Sequence, residues 1–156
     1  MAKRSAGLLL YRRRPELQVF LVHPGGPFFV RKDQGSWTIP KGEYGDDEDP
    51  LAAAMREFEE ETGIAPVMDG CLPLSAIKQK GGKSVMAWAI QHDVDPATIV
   101  SNTFTMEWPP KSGKMASFPE IDRGAWFAPA DAREKINPAQ AVWLDELDLL
   151  ISTSMP

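Results

Sequence analysis

The stretch 37–64, WTIPKGEYGDDEDPLAAAMREFEEETGI, constrains this chain more than any other part of it. It reads as a tight loop running into one helix. Asp49 is a good N-cap, and Pro50 suits the first helical position, where a missing N–H leaves nothing unsatisfied. Residues 51–55 favour helix, and Gly63 supplies a left-handed stop, so a helix is expected over 49–62. At about 100° per residue, Leu51, Ala54, Met55, Phe58 and Thr62 gather on the side expected to be buried. Glu57, Glu60 and Glu61 gather on another side as i, i+3 and i+4 neighbours. Three carboxylates crowded towards a helix C-terminus repel one another and oppose the macrodipole. Helix stability alone does not select them, whereas a hard divalent cation such as Mg²⁺ reverses the sign of the problem. For an isolated run of glutamates, a solvated acidic face would suffice.

This run is not isolated. Gly42 is followed after five residues by Glu48, then after seven by Arg56-Glu57, with Phe58, Glu60-Glu61, Gly63 and Ile64 in fixed register. The pattern G-x5-E-x7-R-E-U-x-E-E-x-G-U, with U bulky and apolar, resembles the signature of the Nudix (MutT-like) hydrolases. Phe58 is an aromatic where an aliphatic residue is commoner. The resemblance implies an α/β/α sandwich with a mixed sheet, an α/β (α+β) fold. It also implies Mg²⁺- or Mn²⁺-assisted attack of water on a nucleoside diphosphate linked to another group. Glu57, Glu60 and Glu61 are then the expected metal ligands, with the Gly42 carbonyl as a further one. Arg56, one turn from Glu60, orients the glutamates. Glu48 is expected to anchor the loop to the helix N-terminus. The proton acceptor is left open between Glu60 and Glu120, and Lys41 is placed to neutralise phosphate.

Shorter segments resemble the diadenosine tetraphosphate hydrolase branch of that family: SAGLLLYR at 5–12, WTIPKG at 37–42, KSVMAW at 83–88, and PEID at 119–122 followed by AWF at 125–127. That likeness implies phosphate binding by Lys83 and base binding by an aromatic residue it does not identify. Trp88 and Trp126 are read as core.

Composition limits the alternatives. With 156 residues, 43% hydrophobic and 25% charged, the chain 1–156 is expected to form one domain with a real core. A net charge of −5 argues against a general nucleic-acid binder, and no sequence-specific nucleic-acid partner is expected. Cys71 is the sole cysteine, so no disulfide can form within the chain, which fits a reducing cytoplasm. No apolar run approaches the roughly 20 residues of a membrane helix, and the apolar stretch near the N-terminus is too short for a signal peptide. The expected assembly is a monomer or homodimer.

Along the chain, 5–11 and 17–23 read as a β-hairpin with a basic turn, Arg12-Arg13-Arg14, expected to be solvated, with phosphate contact as the alternative. Phe28 and Phe29 are read as core, with the lining of a base pocket as the alternative. Segments 63–70 and 71–79 are candidates for strands, Gly81-Gly82 for a turn, and 84–91 for a central strand. Residues 95–112 read as irregular and 111–122 as a long polar loop carrying Glu120. A short strand at 125–127 precedes helices over 129–136 and 138–151, the latter with an apolar stripe of Val142, Trp143, Leu147, Leu150 and Ile151.

The first functional expectation is a metal-dependent hydrolase of a nucleoside polyphosphate, preferring dinucleoside polyphosphates such as diadenosine tetraphosphate. Alternatives are a MutT-like nucleoside triphosphate pyrophosphatase, an inositol pyrophosphate hydrolase, which would want a more basic surface, and a non-catalytic nucleotide-binding module.

Overall fold

The computed structural model describes residues 3–67, 69–79 and 81–154; Met1, Ala2, Met68, Lys80, Met155 and Pro156, which belong to the expected span 1–156, lie outside them. The strands are β1 (Arg4–Arg13), β2 (Leu17–Pro24), β3 (Lys41–Glu43), β4 (Leu72–Pro73), β5 (Ile77–Gln79), β6 (Lys83–Gln91), β7 (Thr103–Glu107), β8 (Met115–Pro119) and β9 (Ile121–Phe127). The helices are α1 (Pro50–Thr62), α2 (Pro129–Lys135) and α3 (Ala141–Ser154).

The main sheet runs β4-β6-β1-β2-β9, with β3 on β1 and β5 on β6. β1 pairs antiparallel with β2 and parallel with β6, so the sheet is mixed. Buried on both faces, β1 carries a near-continuous apolar run, as an interior strand must. Its alternation still sorts the core. Ala6, Leu8 and Leu10 meet Ala53, Ala54, Met55 and Phe58 of α1 on one face. Leu9 meets Ala132, Trp143, Leu144 and Leu147 of α2 and α3 on the other. Helices therefore cover both faces of a mixed sheet, as expected.

α1 forms where the loop chemistry dictates. The Asp49 carboxylate accepts from Ala52 N at 3.0 Å, Pro50 opens the helix, and Gly63 at φ 73° closes it. Fully burying Phe58 is worth about 1.5–3 kcal/mol and fixes which helix face meets the sheet. The face differs slightly from expectation: Ala53 is buried and Leu51 only half-buried. In α3, Leu144 is buried and Val142 exposed, because Pro138–Gln140 forms a separate 3-10 turn that resets the helical phase.

Three other expectations fail. Phe28 is 57% exposed, since the loop 25–36 turns outward before returning to Trp37. The described part of 63–70 contains no strand. The supposedly irregular 95–112 and polar loop 111–122 instead hold a two-stranded hairpin, β7–β8, in register Thr105↔Ser117. Trp108, Pro109 and Pro110, which argued against regular structure, lie in the connection rather than the strands. The arginine triplet is engaged rather than simply solvated: Arg12 covers the Trp126 ring at 4.2 Å, and both Arg12 and Arg14 pair with Asp93. Trp88 and Trp126 pack against the α1-side core, as expected.

Candidate functional site

β3 and α1 build the acidic cleft together. β3 pairs with the start of β1, Gly7↔Lys41 and Ala6↔Gly42, and so lies beside α1. Gly42 meets the helix closely: a Cβ there would fall 2.0 Å from the Glu57 carboxyl carbon. A side chain at 42 would displace the Glu57 carboxylate from this position. The cleft holds about 380 Å³ and is lined by Lys41, Gly42, Glu43, Glu57, Glu60, Glu61, Lys83, Asn102 and Glu120.

Arg56 organises one side. Its Nε and Nη2 donate to the two Glu48 oxygens at 2.7 and 2.8 Å, a forked pair that a lysine cannot reproduce. Its Nη1 donates to Glu57 at 2.8 Å and to Glu60 at 3.1 Å. Glu48 thus ties the loop to α1 through Arg56, while Asp49 caps the helix N-terminus. The Glu48 and Glu60 carboxylates hold the guanidinium charged.

Glu61 and Lys41 form the other side. The Lys41 backbone N–H donates to Glu61 Oε1 at 3.0 Å. Burial pushes the Glu61 carboxyl up to about 8. Burial likewise raises Glu57 and lowers the Lys41 ammonium, further depressed by Lys83. Desolvated carboxylates held side by side are poorly stabilised as anions without a cation.

Glu120 reaches the cleft, from the junction of β8 and β9 rather than from a loop. Its backbone N–H donates to the Asn102 carbonyl at 2.8 Å, while Asn102 N–H donates to the Glu60 carbonyl at 3.0 Å. The hairpin is thereby tied by its two roots to α1. Lys83 lies at the rim, 3.9 Å from Glu43.

A NUDIX domain model matches residues 1–147. The chain belongs to the Nudix family. Nudix hydrolase 25 of Arabidopsis thaliana is 43% identical over 54 residues, 33% of this chain and 31% of the relative. An RNA pyrophosphohydrolase of Roseobacter denitrificans is 44% identical over 57 residues, 34% of this chain and 36% of the relative. The chain therefore matches about a third of the length of these curated relatives. Among solved structures, a Caenorhabditis elegans Ap4A hydrolase complex superposes with TM-score 0.69 at 21% identity, over 96% of this chain and 98% of that one. A MutT/nudix protein from Listeria innocua gives 0.60 at 15%, over 97% and 94%. At these identities the superpositions speak for the fold.

Nudix hydrolases generally use divalent metal ions, and the donors of this Nudix chain suit a hard one. They are carboxylates, with a glycine backbone pressed against one of them. Among the described residues no group of three or more His, Cys, Asp or Glu side chains is arranged to hold a metal ion. In this arrangement Arg56 spans Glu57 and Glu60, and Glu61 accepts from the Lys41 amide.

A second cavity of about 440 Å³ takes in Phe29, for which a pocket lining was the alternative to the core. It shares Lys41 with the acidic cleft and is bounded by Phe29, Lys32, Thr38, Gln79 and Gln140, among others. Gln140, fully buried, accepts from Ile39 N–H at 3.1 Å and donates to Thr38 Oγ1 and Gln79 Oε1 at 2.8 and 3.0 Å. Asn102 was missed. No local pattern marks it, because its position depends on a strand pairing distant in sequence.

Among the described residues no helix is long and apolar enough to cross a membrane. Cys71, half-buried with its thiol raised by burial, has no feature of a reactive cysteine.

Proposed function

We propose that this chain hydrolyses a pyrophosphate link in a dinucleoside polyphosphate such as diadenosine tetraphosphate, with Mg²⁺ or Mn²⁺ as cofactor. The observation that carries the reading is the pair of cavities meeting at Lys41: one acidic, one polar and bounded by amide side chains. The acidic cleft suits a metal-held polyphosphate, and the neighbouring cavity offers hydrogen-bonding edges to a nucleoside.

Glu57, Glu60, Glu61 and the Gly42 carbonyl would hold the cation. When bound, it neutralises phosphate charge and lowers the pKa of a coordinated water. Arg56 orients Glu57 and Glu60, and Glu48 fixes Arg56. Lys41 and Lys83 face the same cleft and neutralise phosphate oxygens. Phosphoryl transfer needs such positioning and charge more than covalent help. The water proton goes to Glu120 or Glu60. Glu120 is supported by its place in the cleft outside the reach of Arg56, which engages Glu60. The lone Cys71 and a nucleotide substrate fit a cytoplasmic protein folded as one domain.

Product analysis tests this. Diadenosine tetraphosphate incubated with the protein and Mn²⁺ should yield ATP and AMP. Release of diphosphate from nucleoside triphosphates, with the tetraphosphate untouched, would replace this reading with a MutT-like one.

A further inference from the structure

The loop 25–36 supplies half of the wall of the second cavity, through Phe29, Lys32, Asp33, Gln34, Gly35 and Ser36. Its two ends are fixed to neighbouring elements. Gly25 N–H donates to the Glu120 carbonyl at 2.8 Å, and Gly35 N–H donates to the Glu134 carbonyl at 3.0 Å, reinforced by Lys135 on Asp33. The middle is held differently. Phe28 meets Trp108 edge to face with ring centroids 5.5 Å apart, a surface contact that leaves Phe28 57% exposed. Among the described residues, the one hydrogen bond from 28–32 to a residue outside the loop belongs to the Lys32 carbonyl, which accepts from His23 Nε2 at 2.7 Å.

His23 stands near the end of β2, is fully buried and lines neither cavity. The Lys32 carbonyl can only accept, so Nε2 carries a proton. Across the ring, Nδ1 lies 3.0 Å from both Asp122 oxygens. Asp122 of β9 is itself held by Arg123 Nη1 at 3.2 Å, and the Arg123 guanidinium covers the Trp37 ring at 5.0 Å. Trp37 also packs edge to face with the imidazole at 5.2 Å. A buried ring bonded at both nitrogens keeps one orientation. An apolar side chain could fill the same space. The imidazole adds a bond whose receiving end is the cavity wall.

We propose that His23 is a positioning residue for the nucleoside. It does not touch the substrate; it holds the Lys32 carbonyl so that Phe29 and Lys32 keep their side of the second cavity in place before the nucleoside arrives. The effect on turnover rests on the proposed dinucleoside polyphosphate chemistry, whereas the hold on the loop does not. A wall fixed in advance loses no binding energy to ordering. No residue of 25–36 lines the acidic cleft, so release of the loop falls on nucleoside binding and spares the chemical step.

Two substitutions separate the halves of the ring. A glutamine amide reaches as far as Nε2, an asparagine amide only as far as Nδ1. His23→Gln can still donate to Lys32, whereas His23→Asn keeps the Asp122 side and releases the loop. In hydrolysis of diadenosine tetraphosphate with Mn²⁺, His23→Asn should raise KM about tenfold at unchanged kcat, and His23→Gln should restore KM towards the parent value. Hydrogen–deuterium exchange of 26–36 in EDTA should quicken about tenfold in His23→Asn and little in His23→Gln. Asp122→Asn leaves the imidazole in place and should raise KM in the same direction by less; it serves where His23→Asn fails to fold. Parent-like KM and exchange in His23→Asn overturn the proposal. Equal impairment of both His23 variants, or a fall in kcat matching the rise in KM, also overturns it, in favour of a packing role. A parent that cleaves no dinucleoside polyphosphate removes the proposed function, and the exchange pattern then upholds or overturns the hold on the loop by itself.

Discussion

Arg56 and Glu48 form a two-point ion pair, Nε to Oε2 at 2.7 Å and Nη2 to Oε1 at 2.8 Å, across the start of α1. That pair fixes the guanidinium plane, so the remaining N–H groups meet Glu57 and Glu60 in one orientation. The loop before the helix therefore positions carboxylates on its third turn. Replacing Arg56 with Gln should lower kcat by about 10–100-fold, the usual cost of losing a group that orients metal ligands. Arg56→Lys should recover little, because one ammonium cannot serve the fork and both glutamates. Steady-state kinetics together with a thermal melt separates this from unfolding.

Glu61 makes stability depend on pH in the metal-free protein. Its folded pKa, about 8, lies above the ordinary 4.5. Between these values the folded chain keeps a proton that the unfolded chain has released, so stability falls as pH rises through that window. Glu61→Gln stays neutral throughout and keeps an acceptor for the Lys41 amide. In EDTA, the variant should melt close to the parent at pH 4.5 and above it at pH 8.5. The same variant should lose about 100-fold or more in metal-dependent turnover. Paired melts at the two pH values check the sign.

Gly42→Ala places a methyl group 2.0 Å from the Glu57 carboxyl carbon. The carboxylate must swing away, so the expected result is ~10–100-fold weaker Mn²⁺ binding in a folded chain. Titration calorimetry measures it.

Gly63 serves the backbone alone. At φ 73° it ends α1, and a Cβ there would lie 2.8 Å from the Val100 carbonyl oxygen. Gly63→Ala should cost about 1–2 kcal/mol by chemical denaturation, with a smaller effect on kcat than Arg56→Gln.

How far these features are legible in sequence follows their range along the chain. α1, its caps and its acidic face depend on neighbours within a few residues, and the 3.6-residue period exposes them directly. β1, β2 and β6 declare themselves through long apolar runs. The β7–β8 hairpin was hidden by Pro109 and Pro110, which forbid a strand only where they stand. Phe28 was misplaced because an apolar ring finds cover equally well in a core or against Trp108 on the surface. Asn102 and Gln140 reach their cavities through partners far away in sequence, Glu60 and Glu120 for the first and Ile39 for the second, which no local pattern encodes.

The central claim is that the α1 carboxylates hold a divalent cation against a polyphosphate. Crystals grown with Mn²⁺ and a non-hydrolysable dinucleoside tetraphosphate analogue test it most directly. The account predicts an anomalous manganese peak between Glu57, Glu61 and the Gly42 carbonyl, in contact with phosphate oxygen. Nucleotide bound with no manganese at those carboxylates would contradict it.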